Sequence, residues 1–233
     1  SHSERQHQRN RRSFRVHMLN GTLALGGANT YSGGTILYKG NVLINSNTAL
    51  GTGPLTVTDG EICQLTAGGE GCRTLSNAVI LGKGITVYAG NDLTFSSGTV
   101  NLGNAANLFD ISNLTTFGGV ISNGAGSGVG SIDKRGAGTL ILAGANTYSG
   151  GTTLNAGILG IGIDSVVSGK QILSGALGTG PLTVATGNIQ AAGGHRTLAN
   201  NMVINNRLTA DGAWNLTLNG DISGTGALVE DKC

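Results

Sequence analysis

Apolar and polar residues alternate in short runs along most of this chain. "LTVT", "ITVYAG", "TVNLG", "TLILAG" and "NLTLNG" each place every second side chain on one face, which predicts β-strands. The runs are short and close on Gly, Asn or Asp, so each strand leads into a tight turn. No stretch keeps a convincing helical period; "SNAVILGKGITVY" has apolar clusters but carries two Gly. The chain reads as all-β, with strands recurring at intervals of about 8–12 residues.

The pattern is itself repeated. "GTLALGGANTYSGGT" (21–35) matches "GTLILAGANTYSGGT" (138–152) at 13 of 15 positions. "ALGTGPLTV" occurs at 49–57 and unchanged at 176–184. "RTLSNAVIL" (73–81) is echoed by "RTLANNMVI" (196–204), and "FGGVISNGAGSGVGSIDK" (117–134) by "LNGDISGTGALVEDK" (218–232). Order is kept throughout, so one long unit is used twice. Equivalent residues are offset by 117 at Tyr31/Tyr148, 127 at Pro54/Pro181 and 123 at Leu75/Leu198. The second copy therefore gains residues before Pro181 and loses some after it. Such insertions belong in loops outside a regular core.

A closed sandwich does not grow by modules with variable loops, whereas a solenoid does. The reading is a parallel β-helix, with strands stacked about 4.8 Å apart. At 20-odd residues per coil this gives about nine coils and a rod of roughly 40–45 Å. Its interior is expected to hold Leu, Ile and Val, with few aromatics. The division is a basic, disordered leader at 1–18, a first module at 19–134 and a continuous second module at 135–233. In the motif "GANTYSGGT", Asn29 and Asn146 are expected to turn the chain. Tyr31 and Tyr148 would cover its apolar edge, or alternatively contact a ligand. Gly33, Gly34, Gly150 and Gly151 complete the corner.

Composition supports a folded, weakly charged β-protein. Of 233 residues 42 are Gly and only 2 Pro, aromatics make up 4% and charged residues 11%. Gly without a three-residue period and without Pro excludes collagen. The net charge of +2 hides an asymmetry. The first 17 residues hold five Arg and one Glu, and the remainder is slightly acidic. No aromatic or helical pattern accompanies these charges, so nucleic acid is not an expected partner. No run of about 18 apolar residues predicts a transmembrane helix, and no signal-peptide core is seen.

Candidate chemistry is sparse. Asp59 and Glu61 stand two apart, but Asp-Gly between them signals a turn. His195 is the one histidine beyond the basic start, and the matching position in the first copy is Cys72. That is poor support for a catalytic base. "GAGSGVG" (124–130) lacks the following helix that a phosphate loop requires. No metal site, cofactor, catalytic set or small-molecule substrate is expected. Cys63 and Cys72 form a candidate local disulfide, with two free thiols as the alternative.

The succession "KRGAGTLILAGANTYSGGTTLNAG … ALGTGPLTV … HRTLANNMVI … NLTLNGDISGTGALVEDK" resembles the passenger-associated repeat of Gram-negative autotransporters over residues 19–232. The lead-in "K-x-G-x-GTL" is intact at Lys134–Leu140, whereas the first copy reads "HMLNGTL" without the Lys. The chain stops where the next lead-in would begin, which reads as a piece of a longer passenger with an open edge near Cys233. The resemblance implies a right-handed parallel β-helix, exported through the outer membrane by a C-terminal translocator barrel and displayed on the bacterial surface. It implies a non-enzymatic stalk supporting adhesion or self-association, with host surfaces or like passengers as partners. The alternative is a carbohydrate-binding or carbohydrate-degrading β-helix.

Overall fold

The computed structural model describes residues 13–59, 63–88 and 90–230. It is all-β, with parallel strands stacked into a solenoid of about 10 turns. One ladder runs through 22–25, 41–44, 63–67, 84–87, 106–111, 131–135, 152–154, 182–184, 202–204 and 222–224. A second joins 14–16, 35–37, 55–57, 79–81, 100–101 and 121–122. A third joins 73–75, 93–95, 114–117, 139–142, 158–161, 188–191, 208–211 and 227–230. Strand partners lie 19 residues apart at the closest (Thr22 with Asn41) and 30 at the widest (Thr152 with Leu182). With ten rungs in the longest ladder, the rod is about 43 Å long.

Alternation explains the core. In Leu55–Val57 and Cys63–Ala67 every first, third and fifth side chain is buried. The inward set is mostly Leu, Ile and Val at or near zero exposure, including Leu37, Val42, Leu65, Leu140 and Leu182. The interior also takes more aromatic volume than the sequence reading allowed. Phe95 and Phe117, direct partners on adjacent rungs, stack at 4.6 Å and 6°. Phe109 meets Phe117 edge-on at 5.4 Å. The ring spacing nearly equals the rung spacing, so aromatics on successive coils stack without widening the tube.

Both copies belong to the same ladders. Strand Ser131–Arg135 crosses the boundary between the two modules, with Asp110 paired to Arg135 and Lys134 to Leu154. In the second copy one strand, Leu182–Ala191, replaces the two strands Leu55–Val57 and Cys63–Ala67 of the first. The longer connection of the second copy, read from sequence as a loop, folds into an antiparallel hairpin, Val166–Ser168 with Gln171–Ser174. Val166, Val167 and Leu173 on it are about half exposed.

The leader also needs correction. Residues 14–18 are not part of a disordered tail but begin strand Phe14–Leu25. "FRV" alternates, and Val16 buries itself beside Leu37 on the edge that strand Thr35–Ile44 offers. The rest of the expected leader, residues 1–12, lies outside the described residues, as do Glu61 and Cys233.

Candidate functional site

The repeated corners form a line along the rod, and asparagines hold it together. Asn29 Nδ2 donates to Ala49 O at 2.7 Å, and Asn146 Nδ2 to Ala176 O at 2.7 Å. Asn77 Nδ2 donates to Gly51 O and Gly53 O (3.1 and 2.7 Å). Asn200 Nδ2 repeats this at Gly178 O and Gly180 O (3.2 and 2.6 Å). These pairs occupy equivalent positions of the two copies, so each corner asparagine ties down carbonyls of an adjoining coil. Corner carbonyls fall outside the strand ladders, and buried ones need a donor. Asn77 and Asn200 were missed from sequence, although "RTLSN" and "RTLAN" carried the signal.

Of the corner glycines, Gly34 and Gly151 adopt positive φ (83° and 81°), whereas Gly33 and Gly150 do not. A Cβ on Gly34 or Gly151 would sit 2.6 Å from Pro54 O or Pro181 O. The tyrosines differ from expectation. Tyr148 is wholly buried, with its hydroxyl 2.6 Å from Thr152 Oγ1, and burial pushes its ionisation far up. Tyr31, near the first rung, is only half-buried; it makes the same hydroxyl contact to Thr35 at 2.7 Å and lies 5.7 Å from the Phe14 ring. Coils on both sides enclose Tyr148, while Tyr31 has one rung beyond it. Tyr148 therefore has no exposed surface with which to meet a ligand.

The lead-in lysine has a structural task. Lys134 is fully buried, and its Nζ donates to Arg135 O, Gly136 O and Ala156 O at 2.6, 2.8 and 3.1 Å. Three donors suit three converging carbonyls. Burial lowers its pKa to about 8, with Asp110 pulling the other way. The equivalent position in the first copy, His17, is exposed on the outermost described strand, where no such nest forms.

The candidate disulfide is absent. Cys63 points inward and donates toward Leu37 O at 3.3 Å, and burial raises its thiol pKa. Cys72 is exposed on a turn, 3.7 Å from Asp92 Oδ2. Strand alternation sends Cys63 to the interior while the turn faces Cys72 outward, so short sequence spacing does not bring the sulfurs together. Asp59 pairs with Lys83 at 2.9 Å. His195 Nδ1 accepts the Asn215 backbone N–H at 3.0 Å. The Gly-rich stretch 124–130 is a turn, whose Gly130 N–H donates to Asn123 Oδ1 at 2.9 Å. Among the described residues no group of three or more His, Cys, Asp or Glu converges.

Comparison with known families matches the two stretches where the corner motif enters the ladders, residues 20–44 and 132–161, to the passenger-associated-transport-repeat. The chain carries this repeat twice. A similar curated protein is the adhesin BmaC autotransporter of Brucella suis biovar 1 (strain 1330), 30% identical over 194 residues. The alignment covers 75% of this chain and 5% of that relative, so the chain spans a small part of its length. No solved structure matches. The passenger repeat thus corresponds to two rungs with their corner: in the second copy, the Lys134 carbonyl nest, the Asn146 bracket and the positive-φ Gly151 all fall within it.

Proposed function

We propose that this chain is a stretch of the β-helical stalk of an autotransporter passenger, exported through the outer membrane and displayed at the bacterial surface. The observation that carries this reading is the unbroken ladder across both repeat copies. A rod built this way grows by adding coils, and each docked coil buries apolar surface at roughly 25 cal/mol per Å². Folding outside the cell would then make translocation one-way. The stalk would work with a translocator barrel outside this chain and would hold adhesive surfaces toward a host or a like passenger. Its role is structural rather than enzymatic. Deleting 138–232 from the parent protein is expected to lower surface display, measured by antibody labelling of intact cells. Undiminished display would contradict the export role.

A further inference from the structure

The two copies share one lateral corner, and only the second has turned it into an aromatic platform. In both, the arginine backbone N–H donates to the next rung: Arg73 to Asp92 O and Arg196 to Asn215 O, each at 2.9 Å. Its guanidinium folds back on the preceding carbonyl in both, Arg73 on Cys72 O at 3.3 Å and Arg196 on His195 O at 3.1 Å. The following threonine N–H is held by an acidic or amide oxygen in both, Thr74 by Asn47 at 3.0 Å and Thr197 by Asp164 at 2.8 Å. On this common frame the strand registers align Cys72 with His195, Asn91 with Trp214 and Asp92 with Asn215.

These replacements create a surface that the first copy lacks. Trp214 is 47% exposed, an unusual position for so large an apolar ring. His195 stands edge-to-face with it at 5.5 Å and 88°. Because His195 Nδ1 accepts the Asn215 N–H, the neutral ring carries its proton on Nε2. Arg196 makes no ion pair with a described residue, and its Nε, like that of Arg73, is buried without a partner. Cys72, the counterpart of His195, is exposed with further rungs stacked beyond it, and Asn91, the counterpart of Trp214, is half-buried there.

We infer that Trp214, His195 and Arg196 bind a saccharide bearing a carboxylate, a uronic or sialic acid unit. This deepens the adhesive part of the stalk reading. The C–H face of a pyranose suits the negative face of the indole. The guanidinium, which makes no ion pair with a described residue, suits a carboxylate, which it can meet with a charge-assisted N–H donor. The His195 Nε2–H supplies a donor for a ring hydroxyl.

Trp214 is the single tryptophan, so its emission reports this site alone. The whole chain is titrated with sialylated and glucuronate-ended oligosaccharides and with neutral lactose. A saturable emission change is expected with the acidic sugars and a much weaker one with lactose. By calorimetry, Arg196→Gln should weaken acidic binding at least about tenfold, the loss of one charge-assisted contact. The matching Arg73→Gln should leave it unchanged. The double variant His195→Cys, Trp214→Asn installs what the first copy tolerates, so it should fold, by circular dichroism, and fail to bind. No saturable response, an equal response to lactose, or equal effects of Arg73→Gln and Arg196→Gln would overturn the assignment. Surface display of a parent carrying the double variant should be normal, and that readout fails only with the stalk reading.

Discussion

Asn29 and Asn146 sit in the same nine-residue motif, yet the structure gives them different weights. Asn146 is fully buried and bridges three coils: its Nδ2 donates to Ala176 O and its Oδ1 accepts the Ile121 N–H, both at 2.7 Å. Asn146→Ala strips a partner from one buried donor and one buried acceptor. Each orphaned group costs about 1–3 kcal/mol, so the loss should be about 2–6 kcal/mol. Asn29 is half-buried and holds only Ala49 O, at 2.7 Å. Asn29→Ala should cost about 1 kcal/mol, because water can reach the freed carbonyl. Urea unfolding followed by circular dichroism measures both, compared through midpoints at unchanged slope. Amide exchange supplies a local check: the Ile121 N–H should exchange at least about tenfold faster in Asn146→Ala. Costs within about 0.5 kcal/mol of each other, or unaltered exchange at Ile121, would refute the bracket reading.

Further outcomes follow from other sites. Gly178→Ala should cost more than about 2 kcal/mol, since φ is 63° and the new Cβ would lie 2.2 Å from Tyr148 O; urea midpoints check it. Lys134 has a folded pKa of about 8, below the roughly 10.4 of an unfolded lysine. Between these values the unfolded chain holds the extra proton, so stability should rise with pH from about 8 to 10. Lys134→Met should lack that rise when the two are compared by thermal melts at each pH. Cys72 should react readily with a thiol reagent while Cys63 reacts only after unfolding, and a reductant should leave the melting temperature unmoved. A reductant-dependent melt would revive a disulfide.

The ladder and its corners were legible because they recur: alternation marks the strands, and the doubled motif marks equivalent turns. What did not recur was harder to read. Phe95, Phe109 and Phe117 lie in the middle coils without aromatic counterparts in the second copy, so their stacking left no pattern. The lead-in marked Lys134 but not its burial, because its three carbonyl partners come together only when 134–136 and 156 close round it. The hairpin 166–174 could not be told from a plain loop, since its pairing is local and its strands are too short to alternate clearly. The cysteines misled because sequence spacing says nothing of the face each occupies. The platform at Trp214 depends on a cross-rung neighbour, His195, and the two residues alone do not announce it.

The central claim is that distant segments stack as successive rungs of one rod. Spin labels on Asn41 and Ser223 sit eight rungs apart on the long ladder, and those on Leu108 and Ser223 five rungs apart. With native cysteines replaced by serine, pulsed dipolar spectroscopy should give distances of about 38 Å and about 24 Å, in proportion to rung count. Distances that do not scale with rung number, or an Asn41–Ser223 separation below about 25 Å as in two facing sheets, would contradict it.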